Sequence, residues 1–454
     1  MAIVSIQIAL CHKNIFSGPL AESEALFLVN CLFFVDKVFL SPLRPSLAMW
    51  SLGFVFHEIA FGLLSVFLPL YIVGPLKGSL LDVGIMIALA GFVAVPFAFF
   101  WGYLCDKTRR YRFFILLSFG GMTLFLYLFS LTKVIWVLVI LYAVIAVFHV
   151  AHEAPKNVLI SEYYSRPDWE RSFASYEGLT EVGWLIGLVL GFVLSGFGLS
   201  PVWFILFCSF LNLAGLIASF FWVKDPLFIF ERKLVGMEKM FDFAHRGFAL
   251  ASKAFDGMKI RESLRSESVA LFCAGLLLFS FATNMLFTPL PVFFSESLSL
   301  FFPKTLSLVQ SLVFVIFIFN TCGSAMGYFL VRRWGEQLNG RSVVKRANLV
   351  RGLLSLLLIF SAVWISAFTL SLAVLVLVVM GLVYGFLWIS ALSLSMELIP
   401  EGKAGLFNAL VGLGAASGCL FGTLVAESYG FPVLFVVVSA GFLLSYVAFK
   451  TYTH

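Results

Sequence analysis

Charge is scarce in this chain: Asp, Glu, Lys and Arg make up 12% of 454 residues, against 61% hydrophobic, and the mean hydropathy is +1.03. A soluble protein of this length has too little interior to hide so much apolar surface, which excludes a water-soluble globular fold. Cysteine supplies no framework. The seven (Cys11, Cys31, Cys105, Cys208, Cys273, Cys322, Cys419) are scattered, without a Cys-x-x-Cys pair or zinc spacing, and read as small packing residues. A phosphate-binding Gly-x-x-x-x-Gly-Lys-Ser/Thr loop is missing too, with no hydrophilic domain to hold one, so ATP-driven transport is excluded. Nothing in the chain calls for a cofactor or a resident metal.

What the chain has instead is long apolar runs. Twelve lie near 47–74, 81–104, 113–131, 134–157, 173–197, 201–223, 269–292, 305–331, 349–367, 370–396, 404–426 and 432–449. A helix crosses the hydrocarbon core with about 20 apolar residues. Lys and Arg stay on the cytoplasmic side of such spans. With both termini inside, the inner segments hold 27 of these cations and the outer ones only Lys77, Lys133 and Lys304. The expected protein is therefore an all-α, multi-pass, monomeric protein of the cytoplasmic membrane. Its net charge of +6 faces anionic lipid of the bilayer rather than nucleic acid.

Residues 1–45 fit this plan poorly. The apolar run Ala25 to Leu40 is short and broken by Asp36 and Lys37, and no signal-peptide cleavage site follows. The expectation is a cytoplasmic or interfacial extension, with Met49 as an alternative start. The longest polar stretch divides the remainder into residues 46–223, a central cytoplasmic loop at 224–268, and residues 269–450. An amphipathic helix on the inner surface is expected in that loop.

The two halves repeat. Phe67-Leu68-Pro69-Leu70-Tyr71 ends the first span and Pro289-Leu290-Pro291-Val292-Phe293 the seventh; Gly102-Tyr103-Leu104 closes the second and Gly327-Tyr328-Phe329-Leu330 the eighth. The offsets, 222 and 225, are nearly equal, and equivalent spans cross in the same direction. That predicts a parallel duplication about an axis along the membrane normal.

Between spans two and three, Gly102-Tyr103-Leu104-Cys105-Asp106-Lys107-Thr108-Arg109-Arg110-Tyr111-Arg112 resembles the signature loop of the major facilitator superfamily, Gly-x-x-x-Asp-Arg/Lys-x-x-Arg-Arg/Lys. With twelve spans, the duplication and the long central loop, the resemblance covers residues 46–450. It implies two six-helix bundles carrying a small-molecule substrate by rocker-switch alternating access. It also makes Gly102, Asp106, Lys107, Arg109 and Arg110 a conformational gate. Gly102 would permit close helix approach. Asp106 would accept hydrogen bonds at a facing helix N-terminus while the arginines reach acids or headgroups. In the second copy Val331 replaces the acid, so the latch is expected in the N-terminal half alone. Enforcing topology is the plainer role for the cations.

A charge in the hydrocarbon costs about 2.5–3.5 kcal/mol on translocon scales, so ionisable groups there are functional candidates. Span one holds His57 and Glu58; span four holds His149, His152, Glu153 and Lys156; span five holds Glu177 and Glu181, an i,i+4 pair. On an ideal helix the four on span four form one stripe about 100° wide. In the C-terminal half Asn284, Asn320, Tyr384 and Trp388 are the candidates for substrate binding. Three readings of the His/Glu cluster stand open. The first is coupling to protons, the second a path for divalent metal ions, the third a structural bridge built on Lys156. Neither His57-Glu58 nor His152-Glu153 continues into a metalloprotease motif, and no nucleophile–base pair suggests an intramembrane enzyme. A non-transporting sensor of the same fold is the remaining alternative.

Glycines complete the pattern. Gly183, Gly187 and Gly191, and Gly414, Gly418 and Gly422, form small-residue stripes on spans five and eleven. The resemblance implies that they flank the interface between halves, and ordinary helix packing explains them as well. The Gly-Pro usual in drug antiporters is absent, since no proline lies between Asp168 and Pro201.

Overall fold

The computed structural model describes residues 45–163, 169–225, 269–303, 305–334, 339–398 and 405–452. The N-terminal extension up to residue 44 and the central stretch 226–268, with its expected surface helix, lie outside the described residues. Twelve helices long and apolar enough to cross a membrane are present among those described. They are span 1, Met49–Val73; span 2, Leu80–Thr108; span 3, Tyr111–Leu131; span 4, Ile135–Ile160; span 5, Tyr176–Gly196; and span 6, Pro201–Trp222. The second set is span 7, Val269–Ser299; span 8, Leu306–Val331; span 9, Gly340–Val363; span 10, Ala367–Ser395; span 11, Phe407–Tyr429; and span 12, Phe431–Tyr452.

The duplication expected from sequence is visible in the packing. Span 1 packs on spans 5 and 6, span 3 on 6 and 4, and span 2 on 4. Span 7 packs on 11 and 12, span 9 on 12 and 10, and span 8 on 10, which is the same plan shifted by six helices. Two seams join the resulting six-helix bundles: span 2 against 11 and span 5 against 8. The symmetry that exchanges the halves exchanges the seams.

Small residues set both kinds of contact, and the stripes on spans 5 and 11 follow ordinary helix packing more than the interface between halves. A Cβ on Gly183 or Gly187 would run into the backbone of span 1 at Val55 and Ile59, and one on Gly414, Gly418 or Gly422 into the span 7 carbonyls of Leu277, Phe281 and Met285. These stripes therefore pack helices within each bundle; only Gly191, against the Phe314 ring, faces the other half. The small residues of the seam lie on spans 2 and 11, where Gly84 meets Thr423, Gly91 meets Ala416 and Gly412 meets Val95.

The outer surface suits lipid. Trp136, Trp203 and Trp364 are 62%, 59% and 74% exposed, all at the same end of the bundle, where indole rings form an interfacial belt. One expectation about charge needs correction. Span 9 begins at Gly340, nine residues before the apolar run suggested, so Arg351 is no loop cation. It lies mid-helix and is completely buried.

Candidate functional site

Span 4 is not one continuous α-helix. It runs Ile135–His149, tightens into a 3-10 turn at Val150–His152, and resumes at Glu153–Tyr163. The cause is Pro155. Proline has no N–H to give the Ala151 carbonyl and its ring crowds that oxygen, yet it is tolerated in a first turn, where N–H groups lack helical acceptors. The ideal-helix stripe is thereby rearranged. The His149 and His152 rings come edge to face, with centroids 5.2 Å apart, and both approach His57 of span 1 at 5.0 Å.

Two hydrogen-bonded chains meet at these rings. Asn212 of span 6 gives its Nδ2 to the Cys208 carbonyl at 2.9 Å, which turns its Oδ1 toward His57 Nδ1 at 3.0 Å. An amide oxygen only accepts, so Nδ1 of His57 carries hydrogen. Neutral His57 then offers the Nε2 lone pair, and His149 Nδ1, 3.0 Å away, donates to it. In the second chain the Ser118 hydroxyl of span 3 bonds His152 Nδ1 at 3.0 Å. His152 Nε2 faces Glu153 Oε1 at 3.4 Å, and Glu153 Oε2 accepts from Lys156 Nζ at 2.7 Å. A hydroxyl donates or accepts by turning, so His152 can take a second proton without losing its partner. Phe54, Phe61 and Phe119 wall the rings off at centroid distances of 4.5–5.6 Å. His57 and His152 are 0% and 1% exposed.

The carboxylates lie around this core. Glu58 is half-buried and within electrostatic reach of Lys156, Glu153, Glu177 and Glu181. Lys156 also lies 5.4 Å over the ring of Tyr176. Glu177 and Glu181 act in turn on Tyr328 and Tyr384 of the opposite half. There Tyr384 stacks on Trp388 at 5.8 Å, and Trp388 meets Phe407 at 5.6 Å. Asn284 and Asn320 both donate to backbone, to Ser280 at 3.0 Å and Leu377 at 2.8 Å, the latter tying span 8 to span 10.

The internal symmetry exposes residues that motif reading passed over. Span 12 stands 230 residues after span 6, which pairs Asn212 with Phe442, and span 10 begins 232 after span 4, which pairs His152 with Tyr384. The sequence offset of 222 pairs His57 with Phe279, and the offset of 232 between the ends of spans 3 and 9 pairs Ser118 with Val350, the neighbour of Arg351. The C-terminal half thus places a guanidinium among Phe279, Tyr384 and Phe442, at 5.4, 5.4 and 4.8 Å from their centroids, where its twin places two imidazoles, an amide and a hydroxyl. Arg351, Ser118 and Asn212 are the additions the structure makes.

The signature loop lies between the end of span 2 and the start of span 3. Asp106, Lys107, Arg109 and Arg110 are exposed at the end of span 2, and a Cβ on Gly102 would meet only Ala154 at 3.9 Å, an ordinary contact. Arg109 closes the helix in the left-handed region, φ 55°, donating its N–H to the Cys105 carbonyl at 2.7 Å. Arg112 fastens the loop to span 6. Its N–H donates to Asp225 at 2.7 Å, its Nη2 to the Phe220 carbonyl at 2.5 Å, and its guanidinium lies 4.8 Å over the Phe220 ring. At the opposite end, Glu427 of span 11 accepts from the Leu81 N–H at 2.6 Å, beside a capping box of Ser79 and Asp82 that opens span 2.

Twelve spans in two bundles related by a parallel duplication, with ionisable residues buried in one and an aromatic face in the other, define a membrane transporter for small molecules. The chain belongs to the major facilitator superfamily: the family model described as Major Facilitator Superfamily matches residues 50–412. Similar solved structures include two of the nucleoside transporter NupG, one a mutant. The mutant has a TM-score of 0.72 at 15% identity, covering 90% of this chain and 100% of that one, and the other 0.68 at 15%, covering 91% and 100%. The human organic anion transporter MFSD10 (TETRAN) gives 0.59 at 16%, covering 90% and 100%. A comparison with curated proteins by sequence found no match.

Proposed function

We propose that this protein is a proton-coupled secondary transporter of a small organic solute, working by rocker-switch alternating access in the cytoplasmic membrane with both termini inside. On this reading residues 46–223 and 269–450 are the moving bodies, with 1–45 and 224–268 as cytoplasmic appendages. The observation that carries coupling is the pair of chains Asn212–His57–His149 and Ser118–His152–Glu153–Lys156, ringed by Glu58, Glu177 and Glu181. Such chains hold one proton more or less by reversing single hydrogen bonds, so their charge can follow the access state. Asn284, Asn320, Tyr384 and Trp388 form the solute's side. Its fold relatives, a nucleoside transporter and an organic anion transporter, nominate planar polar solutes for a first panel. The gate residues Gly102, Asp106, Lys107, Arg109 and Arg110 act on the access equilibrium.

The test is uptake into proteoliposomes under an imposed pH gradient, followed by solute exchange without one. Glu58→Gln, Glu153→Gln and Glu181→Gln abolish uphill uptake and keep exchange, since exchange moves no net proton. Unchanged uphill uptake in all three sinks the coupling assignment.

One observation favours a second reading. His57, His149 and His152 each offer a ring nitrogen within 4.8 Å of the others, a spacing a divalent ion could draw together. On that reading Zn²⁺ or Mn²⁺ is the cargo, and His149→Ala removes metal binding outright while no organic solute is carried. A sensor of this fold would bind solute yet show no counterflow.

A further inference from the structure

We propose that Arg351 is the anion-binding residue of the transport site, and that the solute carries an oxyanion, carboxylate or phosphate, on a planar body. The proposal rests on the transporter reading but not on the coupling ion. Arg351 is 0% exposed, and none of Nε, Nη1 and Nη2 has an acceptor among the described residues. One turn earlier Asn348, also 0% exposed, gives Nδ2 to the Val344 carbonyl at 3.0 Å and leaves Oδ1 without a donor. A buried cation is costly to desolvate, and ring faces return only part of that cost. The guanidinium carbon lies over the rings of Phe279, Tyr384 and Phe442, and its five N–H donors meet no oxygen of the described residues.

Among the described side chains no carboxylate of the same half fills this place: Glu296 and Glu427 stand near the far ends of spans 7 and 11, and Glu427 is bonded to Leu81. What fits the edge is an acceptor with two oxygens in a plane, the pairing at which a guanidinium exceeds an ammonium. A donor on the same ligand would satisfy Asn348. The way in is indicated by burial. Phe279 and Phe442 are 2% and 0% exposed, whereas Tyr384 is half-buried, stacks on Trp388 and faces Glu181 across the bundles. Tyr384 is the accessible wall, and with Trp388 it supplies a shelf for a flat solute.

The experiment uses the purified full-length protein and four probes: benzoate, its neutral isostere benzamide, inorganic phosphate and chloride. Thermal stability and tryptophan fluorescence are read in each. Benzoate, phosphate or both stabilise the wild-type protein saturably, and benzamide and chloride do not. Arg351→Met, whose apolar replacement suits the aromatic box, abolishes that response; Arg351→Lys keeps the charge, loses the paired geometry and binds about tenfold more weakly. If Arg351→Met fails to fold, the Arg351→Lys comparison decides alone. An equal response in either folded variant, no response of the wild type to benzoate or phosphate, or a response to chloride alone overturns the proposal. Loss of pH-driven uptake with Arg351-dependent binding intact would remove the coupling reading and leave this one standing.

Discussion

Removing the Glu427 carboxylate should open the end of the molecule opposite the arginine-rich loop. Its Oε2 accepts from the Leu81 N–H at 2.6 Å and is the polar contact at that end of the seam between spans 2 and 11. Below it the seam is closed by Gly84 against Thr423 and Gly91 against Ala416. A hydrogen bond to a charged group contributes about 1.5–3 kcal/mol, but this one is exposed, so about 1 kcal/mol is the reasonable figure. The carboxylate also faces the positive end of span 2, which adds to the attraction at low salt. Because the contact joins the two halves, its loss falls on one access state. About 1 kcal/mol is roughly a fivefold shift in population. The assay is a pair of spin labels at Lys133→Cys and Tyr429→Cys, both at that end. The described cysteines are all buried or half-buried and will label poorly. Glu427→Ala should raise the long-distance fraction about fivefold, Glu427→Gln less. Wild-type protein in 1 M salt, where the screening length is about 3 Å, should move partway toward Glu427→Ala. A distance distribution indifferent to both substitution and salt would refute this reasoning.

Further outcomes follow from the same geometry. Gly187→Ala drives a methyl into the Ile59 carbonyl and should cost about 1–3 kcal/mol by thermal unfolding, whereas Gly102→Ala, with only an ordinary contact to Ala154, should unfold like wild type. Asp106→Asn should lower turnover at unchanged expression, and normal turnover would remove this residue from the gate. A chain beginning at Met49 should insert and transport; failure to insert would give the preceding residues a role.

The overall plan was readable because lipid imposes it. Apolar runs and alternating cations follow from spanning a bilayer, and the offset repeat reappears as the two bundles. Charge counting failed at Arg351 because Arg341, Lys345 and Arg346 stand close before it, so the cation looked like the tail of a loop. A helical period was there to correct this. Val344, Asn348, Arg351, Ser355 and Leu358 recur at steps of three and four, and all are buried. The stripe on span 4 was drawn on an ideal helix, although Pro155 already marked where that geometry must fail. Ser118 and Asn212 carried no signal of their own. Serine and asparagine in an apolar helix commonly bond their own backbone, and only the fold brings these two to the imidazoles.

The paired seams have a mechanical consequence. Spans 2 and 11 meet on one flank and spans 5 and 8 on the other, in antiparallel contact. Under the proposed rocker-switch motion, a swing of one bundle that keeps both flanks packed has one axle available, the line through them, lying across the membrane. Side chains near that line, Gly91 among them, would turn almost in place, so small residues there would serve as bearings. Travel grows with distance from the axle, greatest at the two membrane faces, where a few degrees of turn become the difference between a shut door and an open one.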